Sequence, residues 1–185
     1  MPTKYVMANL PDGTSDVVSR LDITDIPRPH PSFGGLDLWL NAETPVDLAG
    51  DGDPVAGKPM IHEPPVGGAV FRVLVIDPTK GQLSPSTDEM LAAHATLKSV
   101  NVPTAGYLAK AKDPTMHRTD TLNYFVIVSG QLWALSDRED VLLGPGDVLI
   151  QKGCMHGWRA HGTVPAVMVG VLISAKPPPP AAEKR

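Results

Sequence analysis

Several residue types and patterns are scarce in this sequence of 185 residues, and each shortage excludes a class of protein. Cys154 is the single cysteine, which excludes an internal disulfide and leads us to expect a reducing, cytoplasmic location. No apolar run approaches the roughly 20 residues that cross a bilayer, and the first residues lack the continuous apolar core of a signal peptide. Basic residues number 16 against 20 acidic ones, so there is no basic field to attract nucleic acid.

Proline and glycine, in contrast, are abundant, with 20 and 17 copies. This composition favours short strands and frequent turns over long helices, and the length suffices for one domain. We predict an irregular arm with two or three strand pieces over 1–66, a β barrel over 67–176 and a flexible proline-rich tail over 177–185. The arm is expected to pack on the barrel.

The predicted barrel is a succession of short apolar segments separated by turns. It begins with AVFRVLVI at 69–76 and ends with AVMVGVLI at 166–173. We also interpret YLAKAK, at 107–112, as a strand. Connections of about two to five residues favour hairpins. The strands are therefore expected to form an antiparallel sheet that closes into a barrel or double sheet and so protects its edges.

One segment has the pattern of a helix. In SPSTDEMLAAHATLKS, at 84–99, Ser86 precedes Glu89 by three residues, which is the spacing of a capping box. Met90, Leu91 and Leu97 supply its apolar face. We therefore predict one short helix beside the barrel.

The segment HRTDTLNYFVIVSG, at 117–130, places polar residues ahead of an apolar strand. Residues two apart in a strand face the same side, and one side of this strand holds His117, Thr119, Thr121, Asn123, Phe125 and Ile127. Tyr124 has the opposite parity and is expected to face outward. A second histidine, His156, follows a later turn and is expected on the same inner face. The pattern predicts polar groups at one mouth of a barrel whose depth is apolar.

These segments resemble the two motifs of the cupin superfamily. The pattern H-x-T-x3-N-x6-G from His117 to Gly130 has the spacing of the first motif, whose usual form is H-x-H-x3-E-x6-G, and GPGDVLIQKGCMH at 144–156 looks like the second. The sequence is most similar to small single-domain cupins with a long N-terminal arm and a threonine in place of the second histidine. The resemblance implies an all-β, double-stranded β-helix (jelly-roll barrel) with an irregular arm and one short helix. It also implies a homodimer formed by exchange of arm segments.

The resemblance also raises the question of a metal. A full cupin site offers three imidazoles and a carboxylate, ligands suited to iron, manganese, nickel, copper or zinc. Here Thr119 takes the place of the second histidine and Asn123 that of the glutamate, so the ligands carry no charge. Asp120 and Glu63 could supply a carboxylate, but Asp120 has the wrong parity for the inner face. We expect no resident cofactor, with a divalent metal on His117 and His156 as the alternative.

Without a metal, the two motif histidines can still carry chemistry. An imidazole with an ordinary pKa of about 6.5 can act as a general acid or base near neutral pH. We therefore predict His117 and His156 as catalytic residues, with Thr119 and Asn123 orienting the substrate. The alternative is that both histidines are hydrogen-bonded residues retained from a metal-binding ancestor.

Two further residues are predicted to bind substrate. Arg72 lies among apolar neighbours and could bind a carboxylate inside the barrel, or it could pair with an acid on the outer face. Trp158 shares the face of His156 and could stack on a planar ligand or simply pack in the core. The other histidines, at positions 30, 62, 94 and 161, are expected to be exposed in loops or on the helix.

Three functions follow from these residues. The first is a lyase or isomerase that moves protons in the dehydration or decarboxylation of an oxygenated or aromatic acid. The resemblance implies this class, because some members of the subgroup are regarded as dehydratases or decarboxylases. The second is a metal-dependent oxygenase or oxidoreductase, and the third is a non-catalytic module that binds a small ligand. All three have a small molecule as partner and require neither nucleic acid nor membrane.

Overall fold

The computed structural model describes residues 2–28, 32–49, 52–78, 86–97, 99 and 101–177. Its elements in chain order are β1 (Thr3–Asn9), β2 (Ser15–Asp22), β3 (Phe33–Asn41), β4 (Ala69–Ile76), α1 (Thr87–Thr96), α2 (Ala105–Leu108), β5 (Thr121–Ser129), β6 (Gln131–Leu135), β7 (Val141–Leu143), β8 (Val148–Lys152), β9 (Gly157–His161) and β10 (Ala166–Ser174). Neither helix is long and apolar enough to span a membrane, for the residues covered here. The predicted flexibility of the tail concerns residues that, apart from 177, lie outside the described ones.

The strands form a jelly roll of two packed antiparallel sheets. A five-stranded sheet has the order β3-β4-β10-β5-β8, and a three-stranded sheet has the order β7-β6-β9. The chain changes sheet four times, at β5–β6, β7–β8, β8–β9 and β9–β10, so neighbours in the sequence are not always neighbours in a sheet. The predicted all-β, double-stranded β-helix is confirmed.

The core lies between the two sheets and follows the alternation of β5. Along this strand Thr121, Asn123, Phe125 and Ile127 are buried, while Tyr124 is exposed as predicted. Across the pair β10–β5, Gly170 lies opposite Phe125, and a Cβ on this glycine would come within 2.2 Å of the Phe125 ring. A larger residue is therefore excluded here, since close-packed rings leave no free volume.

The arm predicted at 1–66 contains three strands, and they have different roles. β3 pairs with β4 and is therefore an edge strand of the larger sheet, whereas β1 and β2 pair only with each other among the described elements. Lys4 ties this hairpin to the rest of the chain through an ion pair with Asp53 and a hydrogen bond to the Leu38 carbonyl. The division at residue 66 stays a prediction.

The helix prediction is confirmed for α1. The Ser86 hydroxyl accepts the Glu89 N–H, and the Glu89 carboxylate accepts the Ser86 N–H, which completes the capping box. The strand predicted at 107–112 is wrong, because this segment begins in the last two residues of the short helix α2 and continues in turns and bends. Its alanine and leucine favour a helix, and the Thr104 hydroxyl caps that helix by accepting the Tyr107 N–H.

Candidate functional site

A cavity lies between the two sheets, next to α1. Its volume is about 90 Å³, room for several waters or one small organic molecule. All six residues predicted to form the site line it, namely Arg72, His117, Thr119, Asn123, His156 and Trp158. Most of the other lining side chains are apolar, among them Phe33, Leu74, Ile76 and Leu172. The structure thus brings the predicted site residues together, while their roles stay predictions.

His117 and His156 face each other across an isolated antiparallel bridge. Each donates its backbone N–H to the carbonyl of the other, at 2.8 and 2.9 Å, and the ring centroids are 4.3 Å apart. The Nδ1 atom of His117 lies 2.8 Å from the Thr115 carbonyl, and that of His156 lies 2.9 Å from the Cys154 carbonyl. A carbonyl only accepts, so each Nδ1 carries the proton and each Nε2 is left with a free lone pair.

The surroundings keep both rings neutral. Burial lowers the pKa of His117 well below its ordinary value, and the neighbouring His156 lowers it further. Burial also lowers the pKa of His156 to about 4, although its hydrogen bond to the Cys154 carbonyl opposes the shift. At neutral pH both rings can therefore accept a proton at Nε2 but have none to donate there.

Two further histidines join this pair, and the prediction that they are exposed is wrong. His62 precedes β4 and His94 lies on α1, with side chains only 8 % and 3 % exposed. Their ring centroids lie 5.0 and 5.5 Å from that of His117, and 5.0 Å from each other. Burial and the nearby His62 lower the pKa of His94 to about 4. His161 is exposed as predicted, and position 30 lies outside the described residues.

The sequence contained a signal for one of these two histidines. Met90, Ala93, His94 and Leu97 are the buried side of α1, and their spacing of three, one and three residues is that of a single helical face. His94 could therefore have been placed with the apolar face rather than with solvent. His62 lies in a segment without regular structure, and no periodic pattern indicates where its ring points.

Arg72 is buried and already has partners. One of its terminal nitrogens lies 3.0 Å from an Asp37 carboxylate oxygen and donates to the Ile61 carbonyl at 2.5 Å, and the other donates to the His62 carbonyl at 3.2 Å. The second oxygen of Asp37 accepts the Ile61 N–H at 3.0 Å. Burial raises the pKa of Asp37 above its ordinary value, against the attraction of Arg72. The pair therefore holds the backbone that carries His62. Arg72 lies inside the barrel, as the first interpretation predicted, and it pairs with an acid, as the second predicted.

The remaining predicted residues are also engaged with protein groups. The hydroxyl oxygens of Thr119 and Thr121 are 2.6 Å apart, and the Asn123 amide nitrogen donates to the Gln151 side chain at 3.3 Å. The amide oxygen of Asn123 is buried and has no hydrogen-bond partner among the described residues. Trp158 packs edge to face on His156, with ring centroids 5.3 Å apart.

The motif positions do not fit a tight metal site. Thr119 and Asn123 offer only uncharged oxygens, and the Thr119 hydroxyl already contacts that of Thr121. Asp120, which carries a charge, pairs with Arg118 at 3.5 Å. Across the described ranges, no group of three or more His, Cys, Asp or Glu side chains is arranged to hold a metal ion. The chemistry available to the motif positions is therefore that of their own side chains.

Comparison with known proteins gives relatives of low identity. No protein-family model matches the chain. It is 28 % identical over 166 residues to phomopsin biosynthesis cluster protein C' of Diaporthe leptostromiformis, covering 83 % of this chain and 71 % of the relative. It is 27 % identical over 147 residues to the cupin-domain-containing oxidoreductase virC of Hypocrea virens, covering 76 % and 58 %. The structure of KdgF from Halomonas sp. has a TM-score of 0.44 and 12 % identity, covering 82 % of this chain and 90 % of KdgF.

The strand order and the two sequence motifs agree with one another. The first motif leads into β5, the second contains β8, and the bridge between His117 and His156 joins their histidines at one end of the cavity. Sequence similarity to a cupin-domain protein covers three quarters of the chain. The chain folds as a double-stranded β-helix preceded by an N-terminal arm, and its two motifs resemble those of cupins.

Proposed function

We propose that this cupin is an enzyme that catalyses proton transfer of the lyase or isomerase type on a small oxygenated molecule in the cavity. The observation that carries the proposal is the pair His117 and His156, two neutral imidazoles with free Nε2 lone pairs in a largely apolar cavity. An apolar cavity with a few convergent polar groups is the usual form of a small-molecule site.

The lowered pKa values define what this pair can do. One imidazole accepts a proton from a carbon of the substrate, and the C–H electron pair forms the new double bond. The imidazolium produced is a strong acid for a histidine, since the pKa of His156 is about 4, and it returns the proton readily. If the proton goes to a departing hydroxyl, water leaves and the reaction is a dehydration. If it goes to another carbon, which bonds it with the electron pair of an existing double bond of the substrate, that double bond is lost as the new one forms and the reaction is an isomerisation. Thr119 and Asn123 would orient the substrate.

An acid substrate has weaker support than an oxygenated one. The positive charge of Arg72 is offset by Asp37, and its terminal nitrogens already donate to two carbonyls. A substrate carboxylate would find no unpaired cation among the described lining residues, and the neutral imidazoles would present lone pairs to it. Decarboxylation, which requires an acid, is therefore the less favoured of the predicted reactions.

The test is isotope exchange in deuterated water with a panel of small hydroxy-carbonyl compounds, followed by NMR. We expect solvent deuterium in at least one compound, and loss of this exchange in His117→Gln and His156→Gln. His161→Gln is the matched control, because His161 is exposed on β9 away from the cavity. Exchange that survives both motif substitutions would contradict the proposal.

Two other functions stay as alternatives. The name of the relative virC favours an oxidoreductase. If this chain were a metal-dependent one, protein purified without chelator would contain stoichiometric iron, manganese or copper. A non-catalytic ligand-binding cupin is supported if the cavity binds small molecules and none of the panel exchanges.

We also propose that the protein is a homodimer in the cytoplasm. The outer face of the five-stranded sheet carries exposed apolar side chains, namely Phe71, Tyr124, Val126, Val148 and Ile150. The β1–β2 hairpin presents others, with Met7 68 % exposed. A partner's hairpin laid on this sheet face would bury both surfaces. Light scattering that gives a monomer mass at micromolar concentration would refute the dimer. The exposed free thiol of Cys154 suits a reducing compartment.

A further inference from the structure

The four clustered histidines share one hydrogen-bonding arrangement. Each Nδ1 atom faces an oxygen: backbone carbonyls for His117 and His156, the Ser99 hydroxyl at 2.9 Å for His94, and the Glu63 carboxylate at 3.4 Å for His62. Burial raises the pKa of Glu63, but hydrogen bonds from His62 and the Asn101 N–H outweigh it, so this carboxyl is ionised and only accepts. For the three rings that face a carbonyl or carboxylate, the proton lies on Nδ1 and Nε2 is an acceptor.

Two buried polar atoms in the cavity lack a partner: an amide acceptor, and a ring nitrogen that donates or accepts according to the tautomer of His94. His94 Nε2 and Asn123 Oδ1 belong to side chains that are more than nine-tenths buried, and neither atom has a hydrogen-bond partner in the part of the chain described. Both residues line the cavity. One donor there, Arg72 Nε, is also buried without a partner. Buried polar groups are almost always satisfied, so these atoms indicate a ligand whose groups both donate and accept, as hydroxyl groups do.

The charge of the cavity narrows the ligand further. The pKa values of His94, His117 and His156 keep these three rings neutral at pH 7, and Asp37 offsets Arg72. An anion would lose its hydration and meet acceptor lone pairs, which is unfavourable. A molecule with only acceptor groups, such as a diether, would leave the cavity acceptors unpaired.

We infer that the four histidines form a single binding site for an uncharged, flat molecule that carries two or more hydroxyl groups, such as a dihydroxy-aromatic compound. His62, which neither cupin motif supplies, would accept a hydrogen bond from the ligand together with His117 and His156, and His94, also outside the motifs, would bind a ligand hydroxyl through Nε2. Leu74 and Leu172 would contact its ring. The inference rests on the proposed function only in assuming that the cavity is where the small molecule binds.

The test compares three ring compounds of similar size by calorimetry at pH 7 in the presence of EDTA. Resorcinol carries two hydroxyls, 1,3-dimethoxybenzene replaces them with ethers, and benzoate carries a carboxylate. We expect resorcinol to bind at least tenfold more tightly than either of the others. Equal affinities, tighter binding of benzoate, or no binding of any of the three would overturn the inference.

Substitution of the helix histidine tests its part in the site. His94→Phe keeps a ring of similar size but removes the acceptor, and we expect resorcinol affinity to fall at least tenfold. His161→Phe is the matched control and should leave affinity unchanged, because His161 is exposed outside the cavity. If His94→Phe does not fold, His94→Gln, which retains an amide acceptor, replaces it and should lose less than His94→Ala.

A metal titration and the exchange assay separate the other outcomes. Micromolar affinity of the wild-type protein for Ni²⁺ alone, lost in His94→Phe, would make a metal the occupant and overturn the inference. Resorcinol binding without isotope exchange in any compound would leave the inference standing and count against the proposed proton transfer. Exchange in a compound of the panel, together with absent resorcinol binding, would support the reaction and overturn the inferred site.

Discussion

The four histidines consist of two pairs that are held in different ways. The bridge pair, His117 and His156, is fixed by backbone hydrogen bonds, since its members bond to each other's main chain and each Nδ1 faces the carbonyl two residues earlier. The appended pair, His62 and His94, comes from an irregular segment and a helix. Its Nδ1 atoms face side chains rather than backbone, those of Glu63 and Ser99.

This difference teaches where the site can be altered. The positions of the bridge pair follow from main-chain hydrogen bonds of the barrel, which a side-chain substitution leaves in place. The appended pair depends on a few side chains outside the sheets, chiefly the buried Arg72 with Asp37 for His62 and the helix cap at Ser86 for His94. The motifs therefore supply one half of the site, and the half that lies outside them is the one that can be altered to set which ligand is accepted.

The largest effect should come from the ion pair beneath His62. Asp37→Ala leaves the buried Arg72 charge without its partner, and breaking such a pair costs about 3–5 kcal/mol of the free energy of unfolding. Urea denaturation should detect this loss. Asp140→Ala, which removes an exposed partner of Lys112, is the control and should have no measurable effect. The double substitution Asp37→Leu with Arg72→Leu should recover part of the stability but not the ligand affinity, because His62 loses its backbone support.

If Asp37→Ala and Asp140→Ala lowered the free energy of unfolding equally, the ion pair of Asp37 with Arg72 would not be a special support of the appended pair. A double variant that regains both stability and ligand affinity would lead to the same conclusion.

Acid should weaken both pairs over a defined range of pH. In the unfolded chain a histidine binds a proton near pH 6.5, whereas folded His94 and His156 bind one only near pH 4. Between these values the unfolded state holds more protons, so the free energy of unfolding falls as the pH is lowered from about 6.5 to about 4. Above this range the contribution is complete, and it is on the order of 3 kcal/mol for one such group.

The measurement is urea denaturation at several pH values, for the wild type and for His94→Gln and His156→Gln. Subtracting the free energy of unfolding of each variant from that of the wild type at each pH removes the contribution of the carboxyl groups that titrate in the same range and leaves that of the substituted histidine. Each variant should have a flatter pH profile than the wild type between pH 6.5 and 4. A wild-type profile that both variants reproduce would show that these rings are not kept neutral by the fold.

The fold and half of the site could be predicted from the sequence, because both depend on regular backbone. The alternation of β5 placed Asn123 and Phe125 inside, and the turn before β9 brought His156 to His117. His62 could not be placed, since its position depends on Arg72 binding the carbonyls of residues 61 and 62, a contact between segments that no local pattern encodes. The strand predicted at 107–112 is wrong because a helix of four residues is too short to show the helical spacing of apolar residues that would distinguish it from a strand.

The smallest effect should come from the cap of the helix that carries His94. Ser86→Ala removes the side-chain acceptor of the Glu89 N–H, and loss of an N-cap costs about 1 kcal/mol of the free energy of unfolding. Thr104→Ala is the matched control, since it removes the same kind of cap from α2, which carries no histidine. Hydrogen exchange should rise along α1 only in Ser86→Ala, and resorcinol affinity should fall only there. If Ser86→Ala and Thr104→Ala lowered resorcinol affinity alike, the position of His94 would not depend on the cap of α1. The contrast between the bridge pair and the appended pair would then be wrong for His94.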